Sequence, residues 1–190
     1  MLFAEGNARL LLVAHLVLAG ALAASATHLV IWMRGFWAGR FVKLRATRRF
    51  AVITLSLYLA TFLLGNIIYP IYKVRVRAEY FDDPSQVIGE YRARMEARGI
   101  GARQAEPPVD LPLRTAKIAR WFDVKEHWVA LGLALSAACC ILLLAWDPKR
   151  DGAGPATVVF LMALGAAASV WLAVVVGALT TSYRSIGGLG

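Results

Sequence analysis

The sequence predicts an all-α polytopic membrane protein, a four-transmembrane-helix bundle with an extramembrane, partly helical segment between spans 2 and 3. Three observations lead there. The 190 residues are 59% hydrophobic, with a mean hydropathy of +0.59, far from the balance of a water-soluble domain. Four apolar runs stand at about 9–33, 50–72, 127–146 and 156–180, each with the ~20 residues that cross ~30 Å of hydrocarbon at ~1.5 Å per residue. Within them ionisable groups are almost confined to His15, His28 and, at the mouth of the third, His127. One membrane domain, 1–190, accounts for all four runs.

The first span is rich in small residues, Ala19, Gly20, Ala21, Ala23, Ala24, Ser25 and Ala26, which let helices approach closely in lipid. Ala24-Ser25-Ala26 also resembles a signal-peptide cleavage site. The apolar run nevertheless continues through Leu29–Met33 into a basic stop, so a retained span is expected. The second span, Phe50 to Tyr72, is bulkier and lightly polar, and Tyr69-Pro70-Ile71-Tyr72-Lys73 reads as an interface anchor with a proline stop.

Residues 74–122 form the large extramembrane piece. Gln86 to Ala102 reads as a solvated surface helix, with Glu90 and Arg94 spaced as an i,i+4 pair. Gly99 to Pro112 reads as a turn or extended linker. From Leu113 to Lys125, Leu113, Ile118, Trp121 and Phe122 oppose Arg114, Lys117 and Arg120, the pattern of an interfacial amphipathic helix leading into the third span. That span carries the adjacent Cys139 and Cys140, expected as small apolar side chains rather than a bridge. The fourth places Gly165, Ser169, Ala173 and Gly177 on one stripe, a close-packing signature for the bundle, a partner membrane protein or a second copy. Trp32, Trp37 and Trp146 fall at one proposed boundary, Trp121 and Trp128 at the other.

A net charge of +9 could suggest nucleic acid, but its distribution argues against that partner. Residues 34–49 hold Arg34, Arg40, Lys43, Arg45, Arg48 and Arg49 with no acid, and short basic loops stay cytoplasmic. This places the first and third connections inside and both termini outside, in a bacterial inner (plasma) membrane. The segment 73–126 carries eleven basic and nine acidic residues, and long segments weigh little in that rule.

An imidazole in hydrocarbon must find a hydrogen bond, a metal or a haem. His15 lies about six residues inside the outer end of the first span and His127 at the outer end of the third, so one ligand could bridge them. A b-type haem suits imidazoles on facing helices; Arg75, Arg77, Arg114 and Arg120 are candidate partners for its propionates. Asp123 and His127, four apart, could instead join His15 around a metal or proton relay. His127 can equally be read as an interfacial residue among Asp123, Lys125 and Glu126. His28 lies too deep to share a ligand with either; Thr27, Ser25 or a carbonyl could satisfy it, and Met162 at similar depth offers a His–Met alternative.

Through His15 and His127 on separate spans, the chain resembles the small four-helix b-type membrane cytochromes. The resemblance implies a haem-binding electron-transfer subunit with its site in the outer leaflet and, with three histidines, at most one bis-histidine haem. The alternative class is a non-catalytic structural or assembly subunit of a larger membrane complex. No phosphate loop or nucleophile motif marks a stand-alone enzyme.

Overall fold

The computed structural model describes residues 5–101 and 106–183. After a single 3₁₀ turn (Glu5–Asn7) come α1 (Ala8–Trp37), α2 (Leu44–Ile71), a π-helical segment (Tyr72–Phe81), α3 (Pro84–Ala97), α4 (Leu111–Ala145), the one-turn α5 (Pro148–Asp151) and α6 (Pro155–Tyr183). There is no strand among the described residues. Four helices are long and apolar enough to cross a membrane: Ala8–Trp37, Leu44–Phe81, Leu111–Ala145 and Pro155–Tyr183. The protein is therefore an all-α integral membrane protein. These helices run 29–38 residues, longer than the ~20 a bilayer needs.

Helix ends follow local chemistry. Asp83 caps α3, accepting from the Ser85 and Gln86 amides, and Asp147 caps α5 through the Lys149 amide. Pro84, Pro148 and Pro155 occupy the first helical positions, where a missing N–H costs nothing. α1 closes on Gly39 (φ 70°): the Gly39 amide donates to Phe36 at 3.0 Å and the Arg40 amide to Gly35 at 2.9 Å, the paired bonds of a Schellman turn. Gly99 (φ 75°) ends α3 the same way, with Ile100 donating to Met95.

Two expectations are corrected. Pro70 does not stop the second span. α2 runs through it to Ile71 and continues as the π-helical segment to Phe81, ending where the Asp82 amide donates to Arg77 five residues back. Proline only withholds one amide and crowds the preceding turn; widening the helix relieves such crowding. The segment 113–125 is likewise no separate interfacial helix but the first third of α4. Its inward stripe is Leu111, Thr115, Ile118, Ala119 and Phe122, while Leu113 and Trp121 point outward. Part of the expected 99–112 linker, and the ends of the chain, lie outside the described residues.

The described residues group into two compact units. One is drawn from Met1–Leu12, Ile67–Val124 and Val176–Gly190, the other from Val13–Asn66 and Lys125–Val175. In the first, Tyr72, Val76, Tyr80, Phe81, Val87 and Ala119 form the core, and the Tyr72 and Phe122 rings stack at 3.7 Å. In the second, four helices pack as a bundle around Met33 and Phe36 (α1), Ala51 (α2), Cys139 and Leu143 (α4) and Val159 (α6). The two cysteines are free and buried. Trp146 is 4% exposed and donates its indole N–H to Gly152 at 2.8 Å, so it serves this core rather than the aromatic belt. Only 22–33% of each apolar window is buried, and most of the large side chains exposed along the spans are Leu, Val and Ile. That partition suits lipid, where exposing an apolar side chain costs nothing.

Candidate functional site

In the bundle unit, His15 projects from α1 onto the backbone of α2. A methyl built on Gly65 would lie 3.2 Å from His15 Cε1 and 3.8 Å from Nδ1, so a glycine at 65 is what lets the imidazole lie flush against the helix. The ring also meets the Thr61 backbone and lies within electrostatic reach of Lys125. Nδ1 itself is buried without a hydrogen-bond partner among the described residues, a costly arrangement in a spanning segment. His127, on α4, is exposed and takes part in an interaction of its own.

The best-defined polar node of that unit joins three spans. Tyr58 (α2), 2% exposed, donates its hydroxyl to the Val129 carbonyl at 3.2 Å and lies 3.3 Å from the Ser169 hydroxyl. Ser169 (α6), 1% exposed, donates to the Trp128 carbonyl. Gly132 of α4 makes this approach possible, since a Cβ there would collide with the Tyr58 hydroxyl and with the Ser169 side chain. A second interhelical bond links Ser25 (α1) and Thr54 (α2) at 2.8 Å. The expected small-residue stripe is thus used internally at its first half: a Cβ on Gly165 would fall 2.9 Å from Leu135, and Ser169 is buried. Gly177 has open space beside it. Sequence reasoning missed Tyr58 and Gly132; their only signal is one hydroxyl and one glycine inside apolar runs.

At the other end of this unit, Arg48 is not simply a charge of the basic loop. It donates to the Leu143 carbonyl at 2.7 Å and to the Trp146 carbonyl, closing the C-terminus of α4, where unpaired carbonyls and the helix dipole favour a cation. His28 is exposed and packs edge-on against Trp32 at 4.7 Å and beside Phe50 at 5.3 Å.

The unit built around the π-helical segment holds the expected propionate partners. Arg77 pairs with Asp123 and, at 3.4 Å, with Asp82. Arg75 pairs with Glu79 at 2.9 Å and Arg114 with Asp110 at 2.6 Å, while Arg120 is exposed. Arg94 pairs with Glu90 as the spacing anticipates. Outside the spans, Ser85 holds the Asp83 carboxyl below its usual value through its hydroxyl and its amide.

Nothing among these contacts points to a haem site. One edge of the His15 ring lies against the α2 backbone at Gly65, and Arg75, Arg77 and Arg114 are each paired with carboxylates. No group of three or more His, Cys, Asp or Glu side chains able to hold a metal occurs among the described residues. No family model, curated protein or solved structure matches this chain.

Proposed function

We propose that this integral membrane protein is a non-catalytic structural or assembly subunit of a membrane complex, lying with its basic first connection toward the cytoplasm. One observation carries the reading: the side chains that would do chemistry are committed to internal contacts. His15 is packed on Gly65, Ser169 and Tyr58 join α4, and Arg77 is held by two carboxylates. In lipid such polar contacts are what specify helix packing. Gly177, where a Cβ would meet no other side chain or helix within 4 Å among the described residues, offers a small-residue position of α6 to another helix.

The buried, unbonded Nδ1 of His15 favours a second reading, a b-type haem subunit. In it His15 and His127 would hold the group, which would supply one-electron transfer. One experiment separates the two. The protein extracted from its own membrane in mild detergent should be colourless and migrate with partner polypeptides in fixed stoichiometry. A Soret band that shifts on reduction would establish the haem reading instead, and a colourless, lone monomer would overturn the assembly role.

A further inference from the structure

We propose that the rim formed by Arg34, Arg40, Lys43, Arg45 and Arg49 is a binding surface for the headgroups of anionic phospholipids. All five side chains are exposed, no acid occurs between residues 34 and 49, and none of the five makes an ion pair among the described residues. Elsewhere Arg75, Arg77, Arg94, Arg114 and Arg150 each find a carboxylate, and most of the remaining cations lie in stretches that also carry acids. Arg48, in the middle of the same stretch, is spent on the α4 carbonyls. What remains is five uncompensated charges in sixteen residues.

Their placement selects the anion. They sit where α1 ends and α2 begins, two helices of spanning length, and the connection between them also exposes Trp37 (62%) and Val42 (95%). A dissolved polyanion would satisfy the arginines and leave these apolar groups in water. The surface of a bilayer accepts both, the indole at headgroup level and the cations against phosphates. The Gly39 turn fixes the geometry, and the Lys43 ammonium lies 5.5 Å over the Trp32 ring, which holds its stem along the apolar surface as interfacial lysines do. The inference is independent of the assembly reading, since any bilayer-spanning role leaves this rim at the lipid surface.

The test is lipid selectivity of the full chain reconstituted in phosphatidylcholine vesicles. Spin-labelled phosphatidylglycerol and spin-labelled phosphatidylcholine are compared for the fraction held at the protein. The phosphatidylglycerol preference should be about fivefold, the effect of one interfacial cation, or more, and should fall as salt is raised. The variant Arg40→Gln/Lys43→Gln/Arg45→Gln/Arg49→Gln should bring it close to parity. Removing as many charges elsewhere, in Arg92→Gln/Arg94→Gln/Arg98→Gln/Lys117→Gln, should leave it in place. Equal affinity for the two lipids in the unaltered chain would overturn the proposal, and so would an equal loss in both variants. Abolition of the preference by millimolar inorganic phosphate would make the rim a small-anion site instead. The salt titration needs no variant, so a rim variant that fails to fold leaves the proposal open to refutation.

Discussion

Replacing Gly132 by alanine should destabilise this protein, although in most helices the same change stabilises. Alanine is favoured over glycine in a helix interior by ~1 kcal/mol. At position 132 the added methyl would land on the Tyr58 hydroxyl and on the Cβ of Ser169. A Cβ is attached to the backbone and cannot rotate away, so either α6 shifts or Tyr58 and Ser169 withdraw from α4. The first response is overpacking, at roughly 1–3 kcal/mol. The second strips the bonds to the Val129 and Trp128 carbonyls and leaves buried hydroxyls without partners, at roughly 1–3 kcal/mol. Set against the ~1 kcal/mol propensity gain, the middle of either range leaves a net loss of about 1 kcal/mol. Thermal unfolding in detergent, followed by tryptophan fluorescence, should show it at about 2–4 °C per kcal/mol. Gly20→Ala, with no heavy atom within 4 Å of the new methyl, is the control and should hold or raise Tm. In a double-mutant cycle, Gly132→Ala with Ser169→Gly should lose less than the sum of the single changes, because removing the Ser169 side chain relieves two of the three close contacts and leaves only the Tyr58 hydroxyl to shift. A Gly132→Ala variant as stable as the parent, or strict additivity with Ser169→Gly, would refute the close three-helix approach.

Arg48→Met should lower thermal stability by about 1–3 kcal/mol, the worth of a charge-assisted bond, and Arg48→Lys should recover only part, since one ammonium does not reproduce a guanidinium spanning two carbonyls. The Asp83 carboxyl, held below its usual value by Ser85, should lend α3 protection that is present above about pH 4 and lost as pH falls through the lowered value. Hydrogen exchange at the Ser85–Val87 amides should follow that sign, and Asp83→Asn, which keeps the cap, should flatten the pH dependence.

The number and placement of the spans were legible because apolar runs of membrane length have few alternative explanations. So were the Glu90–Arg94 pair and the turn beginning at Gly99, which depend on residues close in sequence. Pro70 misled because its stop signal belongs to helices in water. There a freed carbonyl turns to solvent, whereas here the chain re-forms its bonds in a wider helix through Phe81. Trp146 misled because indoles favour the interface, but here the ring packs against Phe36 and Phe41 in the core and its N–H finds the Gly152 carbonyl. The Tyr58–Gly132–Ser169 node was out of reach, since its members lie 37 to 111 residues apart and nothing local selects them.

The histidines show why the site is harder to read than the fold. In water, a buried imidazole beside a lysine suggests catalysis because burial is the expensive part and function is what repays it. In lipid, burial is the default for every spanning residue, and a polar side chain earns its place merely by letting two helices meet. His15 on Gly65, Ser25 on Thr54 and Tyr58 by Ser169 then form one class of contact. One detail sets His15 apart: two of these pairs bond hydroxyl to hydroxyl, while the His15 ring meets the Thr61 backbone and its Nδ1 has no hydrogen-bond partner among the described residues. A packing residue gains by satisfying every polar atom, and a ligand must keep one lone pair free. The choice between a helix-packing histidine and a metal-bound one therefore rests on that single nitrogen, and an absorption spectrum reads its state directly.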